Sequence, residues 1–309
     1  MVVSKKRKKS VISKKGDILF YWGLLILPLI QIAIFYFAVN INSFLMAFQK
    51  FDLSTKSYYM VGFDNFKKIF VEMGRVNTMI YAIENSVVYY LLGFLTSLPL
   101  GLIFSYYVYK NAVGGAFFKV MLFLPTIIPP MATTLLMYNF GREVLPLLGL
   151  VELSVSAGRW NIFFTIYFMI VMLSFGTNII MYSGAMSGID QSLVEAAEID
   201  GASPMQEFTK ITIPMIWPTL ATFVTVGVAG IFSQQMYLFG LFPDGAPSEN
   251  YTIGYYLFVE NNKLSSNALF GNQTGFPKIA AIGLLFTAFA VPMVYGMKFL
   301  LKKIGPSID

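Results

Sequence analysis

The sequence predicts an all-α membrane protein with six transmembrane helices. Hydrophobic residues make up 56% of the 309 residues, and charged residues make up only 12%. Since a soluble chain of this length could not cover its surface with so few charges, most of it must face lipid or other protein. Six apolar stretches are long enough to cross about 30 Å of hydrocarbon as helices. Their central portions contain no Asp, Glu, Lys or Arg.

The first span follows a strongly basic segment. Seven of the 22 basic residues lie in 5–9 and 14–15. The uncharged stretch 18–48 is too long for the apolar core of a signal peptide, which is about 7–15 residues. A basic flank beside such a stretch marks the cytoplasmic end of a span rather than a nucleic-acid site. Residues 1–17 are therefore predicted to be a cytoplasmic tail.

The remaining spans complete one transmembrane domain over 18–301. Six crossings return residues 302–309 to the cytoplasm as a second tail. The predicted spans are 18–48, 80–109, 118–140, 160–184, 215–241 and 279–301. The connections 110–117 and 185–214 are predicted inside the cell, and 49–79, 141–159 and 242–278 outside it.

The third span contains a dense proline cluster between Leu124 and Pro130. A proline inside a helix removes a backbone donor and bends the chain. A membrane tolerates this only where neighbouring groups or water satisfy the freed carbonyls. The cluster predicts a deliberately broken helix that lines a pathway, and ordinary transmembrane prolines are the alternative.

The connection 185–214 is acidic, although the positive-inside trend favours basic residues on this side. Its acids are Asp190, Glu195, Glu198, Asp200 and Glu207, against the single Lys210. Ser192 and Glu195 predict a capping box that starts a helix through Ile199, and Gly201 is suited to end it.

A second short helix is predicted after that glycine. Ser203, Pro204 and Gln206 have the residue types of its cap and first turn, and Pro214 is expected to close it as the fifth span begins. Two capped helices on an acidic loop favour a docking partner. A solvated amphipathic loop is the alternative.

The same loop resembles the signature of binding-protein-dependent ABC importer permeases. The motif there is EAA, a glycine in the form DGA, and a later I-x-x-P. It matches at Glu195, Ala196, Ala197, Asp200, Gly201, Ile211 and Pro214. Two further segments, 61–66 and 122–130, resemble sugar-type permeases of the maltose and oligosaccharide group.

This resemblance implies a fold and a set of partners. The fold is that of type I importer permeases, a transport subunit and not an enzyme, in a bacterial or archaeal cell membrane. The implied partners are a second permease, two ATPases docked on 185–214, and an extracytoplasmic solute-binding protein. No nucleic acid is expected. Since no G-x-x-x-x-G-K-[ST] run occurs, ATP and Mg²⁺ are expected on the ATPases, with no cofactor or metal in this chain.

Uncharged polar residues inside spans are candidates for the substrate pathway, because they are costly in lipid unless they are paired or face a cavity. The resemblance to maltose-type permeases selects Thr126, Ser174, Thr177, Asn178, Ser233, Gln234 and Gln235, and Tyr182 and Tyr237 are further candidates because their rings can stack on sugar rings. The alternative for each is a plain helix-to-helix hydrogen bond. Such a lining fits a neutral sugar better than a phosphate ester, and the resemblance to this group implies an oligosaccharide.

Two other functions stay open from the sequence. The same fold could import a glycerol-phosphate-type or other small solute. A secondary transporter is the rival class, although an acidic docking loop has no use in one. The absence of intramembrane carboxylates argues against proton coupling but leaves a sodium site possible.

Overall fold

The computed structural model describes residues 14–150, 158–242, 245–266 and 271–306. Most of the basic tail and the last three residues lie outside this set. The helices are α1 Lys14–Ile32, α2 Val39–Met46, α3 Asp64–Met73, α4 Thr78–Tyr109, α5 Gly115–Ile127, α6 Pro130–Asn139, α7 Leu145–Leu147, α8 Arg159–Met186, α9 Gln191–Ile199, α10 Pro204–Glu207, α11 Ile213–Met215, α12 Trp217–Gly230, α13 Leu238–Leu241, α14 Ile253–Ser266 and α15 Gly271–Ile304. The strands are β1 Gln49–Asp52 and β2 Ser57–Met60.

Four helical stretches are long and apolar enough to cross a membrane within the described residues. They are Ile18–Met46, Thr78–Tyr109, Arg159–Met186 and Gln273–Ile304. Two bent helix pairs also qualify. α5 and the helical stretch from Pro130 to Leu147 are bent by 112° relative to each other, and the stretch Pro204–Met215 and α12 are bent by 68°. The described part of the chain therefore has four helices of this kind, or up to six if each bent pair is one span.

The predicted break in the third stretch is confirmed. α5 ends at Ile127, and α6 begins at Pro130. The hydroxyl of Thr133 lies 3.1 Å from the carbonyl oxygen of Ile128 and 3.2 Å from those of Pro125 and Pro129. A membrane helix tolerates such a break when a threonine hydroxyl donates hydrogen bonds to the carbonyls that proline leaves without a donor.

The fifth stretch differs from the predicted continuous helix over 215–241. α12 ends at Gly230, and a non-helical segment follows before α13. Met236 and Tyr237 both have positive φ, 49° and 65°, which is strained for side chains of this size. The polar run Ser233, Gln234 and Gln235 lies in this break, but residue type alone does not reveal the backbone geometry. The segment 231–237 is called the turn segment below.

The predicted outer connections are largely structured. β1 and β2 form an antiparallel hairpin in which Phe51 pairs with Tyr58. The 242–278 connection contains α14, and α15 begins at Gly271 rather than near 279. The amide of Asn65 donates to the carbonyls of Ala47 and Gln49 at 2.9 and 2.8 Å, which fastens α3 to the hairpin.

The 242–278 connection, called the outer layer together with the hairpin and α3, is also hydrogen-bonded to the long helix α4. Asn85 on α4 donates to the carbonyls of Glu249 and Tyr251 at 2.8 and 2.9 Å. The backbone amide of Ile253 donates to the hydroxyl of Ser86 at 2.9 Å. Buried polar groups with such partners hold the outer layer on α4 at small cost.

Candidate functional site

The acidic loop begins with a capped helix, but the cap is not the predicted one. Asp190 is the N-cap of α9, and its carboxylate accepts hydrogen bonds from the amide and the hydroxyl of Ser192 at 3.0 and 2.9 Å. The predicted capping box of Ser192 and Glu195 is therefore wrong, because Ser192 is already inside the helix. These bonds lower the pKa of the Asp190 carboxyl.

The end of α9 and the start of the second helix match the prediction. Gly201 has φ of +76°, and the amide of Ala202 donates to the carbonyl of Ala197 at 2.9 Å. Ser203 and Gln206 form the reciprocal capping box, with Pro204 in the first turn. The whole helical stretch that begins at Pro204 passes Pro214 and ends at Met215, so it ends one residue later than predicted.

The loop exposes apolar side chains on its outer surface. Ile199 is 86% exposed, Met205 68% and Leu193 44%. Val194 and Ala197 are buried, and Val194 belongs to a small core with Met186 and Ile216. Of the predicted coupling residues, Glu195, Ala196, Asp200 and Gly201 are exposed, Ile211 and Pro214 are half-buried, and Ala197 is buried. A helix with this exposed face is suited to a protein partner.

The sequence did not point to Lys110 as a partner of this loop. Its ammonium group lies 3.0 Å from Glu207 and 3.2 Å from Glu198. The Glu207 side chain is only 5% exposed. Desolvation opposes the charged form, but the hydrogen bonds that the ammonium donates to Glu207 and Glu198 outweigh it and raise the pKa of the Lys110 ammonium.

A cavity of about 280 Å³ lies between α4, α8, α12 and the turn segment. Its polar and aromatic lining comprises Tyr89, Tyr90, Phe94, Ser97, Ser174, Asn178, Tyr182, Phe223, Gln234 and Tyr237. Within the described chain, none of its lining residues is charged. A second cavity of about 420 Å³ shares Gln234 and Tyr237 with it and adds residues of α6. Both cavities depend on the turn segment for a wall.

The cavities collect most of the predicted pathway residues but not all of them. Ser174, Asn178, Tyr182, Gln234 and Tyr237 line the first cavity, and Gln235 joins Gln234 and Tyr237 in the second. Thr126, Thr177 and Ser233 line neither of the two.

Local contacts explain two of these exceptions. The hydroxyl of Thr126 donates to the carbonyl of Phe123 at 2.7 Å, inside its own helix. The Ser233 backbone lies against Gly254, where little space remains. Thr177 is exposed on the surface of α8.

Sequence reasoning missed the contribution of α4. Tyr89, Tyr90 and Ser97 line the first cavity, and the hydroxyls of Tyr89 and Ser97 are buried with no hydrogen-bond partner within the described residues. The signal was present, because Tyr90 and Ser97 are seven residues apart, a spacing that keeps both on one face of a helix. Uncharged polar residues inside a span are costly without partners, so this face is a candidate lining.

Comparisons with known proteins agree with this arrangement. The model of the family described as binding-protein-dependent transport system inner membrane component matches residues 97–306. The multiple sugar-binding transport system permease protein MsmF of Streptococcus mutans is 27% identical over 293 residues, 90% of this chain and 94% of that protein. The sn-glycerol-3-phosphate transport system permease protein UgpA of Escherichia coli O157:H7 is 27% identical over 237 residues, 72% and 77% of the two chains.

Solved structures show the same fold. A chain of a bacterial ABC transporter that imports the acidic polysaccharide alginate superposes with a TM-score of 0.71, at 21% identity, over 94% of this chain and 98% of that one. The alginate transporter in complex with an alginate pentasaccharide-bound periplasmic protein gives a TM-score of 0.69, at 20% identity, over 94% and 96%.

The matched region covers more than half of the chain and includes the acidic loop, most of the cavity wall and the last long helix. The chain therefore belongs to the family of binding-protein-dependent transport system inner membrane components, as a multi-pass membrane subunit of a transport system rather than an enzyme.

Proposed function

We propose that this chain is a permease subunit of an ATP-driven ABC importer that moves a sugar, in particular an oligosaccharide, across a bacterial or archaeal cell membrane. The observation that carries the proposal is the capped loop 190–215, which exposes apolar and acidic side chains around Gly201. Such a surface is suited to docking a protein. The EAA motif lies on it, and the resemblance to importer permeases supports an ATPase as the docked protein.

The proposed topology has six spans, with both ends of the chain in the cytoplasm. Each bent pair counts as one span, and the acidic loop and Lys110 then lie on the cytoplasmic side. The hairpin, α3 and α14 lie outside. Basic residues near the ends of the first and last spans support this orientation, because cytoplasmic flanks are rich in Lys and Arg.

The proposed partners divide the work. Two ATPases bind ATP and Mg²⁺ and dock on the loop, and a solute-binding protein delivers substrate to the outer layer. A second permease completes the pathway, and the long first helix supports this. No residue in the most apolar part of Ile18–Met46 is buried within the chain, which leaves that helix available for a partner as well as lipid. No cofactor is proposed for this chain itself.

The substrate proposal rests on the cavity lining. Tyrosine rings, an asparagine and a glutamine can stack on sugar rings and hydrogen-bond sugar hydroxyls. A glycerol-phosphate-type solute is the second candidate, supported by the relative UgpA. A site for such a phosphate ester is expected to contain Arg or Lys, since these side chains recognise phosphate. Neither occurs among the cavity's described lining residues.

Asn178→Leu is expected to lower sugar uptake about tenfold in the assembled transporter, because a sugar hydroxyl loses its partner in the cavity. The ATPase rate without substrate should stay near that of the wild type. Thr96→Val is the matched control, since the Thr96 hydroxyl bonds the Leu92 carbonyl in its own helix. Uptake that is equally normal in both variants would remove Asn178 from the substrate site.

A further inference from the structure

A partly buried ion pair joins the end of α4 to the acidic loop, and the Lys110 side chain in it is 32% exposed. Lys110 is the C-cap of α4, and its ammonium group contacts both carboxylate oxygens of Glu207, at 3.1 and 3.0 Å. Glu207 lies in the second short helix and is 5% exposed. The second partner, Glu198, is 59% exposed at 3.2 Å. An exposed pair contributes little, so Glu207 is the partner that matters.

Aromatic packing supports the same junction. The Tyr106 hydroxyl donates to the carbonyl of Pro204 at 3.2 Å, and its ring lies 4.8 Å from that of Phe208. Both residues pack against the small core that contains Val194 and Ile216. The last turn of α4 and the loop therefore share apolar contacts, a hydrogen bond and an ion pair.

The charge makes this junction hard to open. A buried carboxylate that loses its cation is left without compensation, which is strongly unfavourable. A state in which the loop leaves α4 would either strand the Glu207 carboxylate while it is still covered, or expose it to water and lose the ion pair together with the Tyr106 contacts. The low-energy movement is one in which the loop and α4 move together.

The same helix reaches the cavity. Tyr89, Tyr90 and Ser97 of α4 form one cavity wall, and Lys110 follows its last helical residue, Tyr109. A displacement of the loop that carries α4 along would therefore displace that wall. A contact chain of this kind is a physical route between two sites when both belong to one rigid body.

We propose that the Lys110–Glu207 ion pair binds the acidic loop to α4, so that the two move as one body and transmit ATPase movement to the cavity wall. Lys110 is then a positioning residue, which touches neither substrate nor nucleotide. This inference rests on the proposed importer function. It adds a specific pair and a route that the family motif does not contain.

Distance measurements test the rigid body directly. The chain has no native cysteine, so spin labels can be placed at Asn111 and at Gln191, which are both exposed and lie outside the coupling motif, in a complex whose other cysteines are removed. The distance between the two labels is expected to be the same in the nucleotide-free and the ATP-trapped complexes. A shift of the main distance between the two states would overturn the proposal.

Charge variants test the coupling. Lys110→Ala is expected to lower sugar uptake per ATP hydrolysed about tenfold, within the range of typical coupling factors. Lys110→Arg should retain it, since the cation is kept, and the exchange Lys110→Glu with Glu207→Lys should restore much of it. Lys303→Ala is the control, because Lys303 is exposed and has no ion pair within the described residues.

The outcomes separate this inference from the function on which it rests. Normal uptake per ATP in folded Lys110→Ala would overturn the coupling role while leaving an ATP-driven importer. Failure of the exchange to improve on Lys110→Glu alone, with both proteins assembled, would also count against it. An unmodified complex without ATP-driven uptake would instead contradict the proposed function.

Discussion

Gly201→Asp is expected to reduce ATP-driven sugar uptake by more than tenfold while the chain still inserts in the membrane. Gly201 ends α9 with φ of +76°, a conformation that costs a residue with a side chain about 1 kcal/mol. A carboxylate is also added to a surface that already carries Glu195 and Asp200. Strain and charge both alter the proposed docking face, so the ATPase should hydrolyse ATP without driving transport.

A closely matched control exists for this substitution. Gly149 has φ of +73°, and open space surrounds the position of a side chain there, as at Gly201. Gly149→Asp imposes the same backbone strain at the end of α7, on the opposite side of the membrane in the proposed topology. Its uptake should be near normal. Equal uptake by the two variants would mean that Gly201 has no special role in docking.

Gly254→Ala is expected to destabilise the protein by about 1–3 kcal/mol or more and to abolish uptake. A methyl group there would meet the Ser233 carbonyl oxygen and would lie 2.6 Å from the Gln234 carbonyl carbon. Backbone atoms cannot rotate away as a flexible side chain can. The turn segment must shift, and both cavities would lose a wall.

Thermal unfolding in detergent and uptake by the whole transporter measure this effect. Gly283→Ala is the control, since nothing lies within 4 Å of the added methyl group and alanine favours a helix. The midpoint temperature of thermal unfolding of Gly283→Ala should equal or exceed that of the wild type. A Gly254→Ala protein with wild-type midpoint and uptake would show that the contact with the turn segment is not required.

Much of the fold follows from local signals in the sequence. Apolar stretches predict the long helices because membrane spans require about 20 such residues. Proline density marks the break before Pro130, and Gly201 and Ser203 mark the helix ends of the acidic loop. These features depend on the chemistry of a few neighbouring residues, which is why a single sequence reveals them.

Other features depend on contacts between distant parts of the chain. The turn segment was predicted as part of a continuous helix, yet its backbone lies against Gly254, a packing contact that no short stretch of sequence contains. The Asp190 cap was missed because Ser192 offered an equally plausible capping pattern. The pairing of Lys110 with Glu207 spans nearly a hundred positions, so neither residue is remarkable until the fold joins them.

The cavity was predicted in part for the same reason. Asn178 and Gln234 are conspicuous as polar residues inside spans, whereas Tyr89 and Ser97 resemble ordinary membrane residues. Their burial without hydrogen-bond partners within the described residues distinguishes them, and that is a property of the packed structure. The assignment of sugar-contacting roles to any of these side chains is a prediction for transport measurements.

Transport by this chain is expected to be driven by an ATPase docked on the acidic loop. Purification of the tagged chain from its native membrane, followed by reconstitution in lipid vesicles with its solute-binding protein, measures this directly. The expected result is an ATP-hydrolysing subunit in the purified complex and sugar uptake that requires ATP. Sugar uptake by the isolated chain in vesicles without any ATPase would contradict the claim.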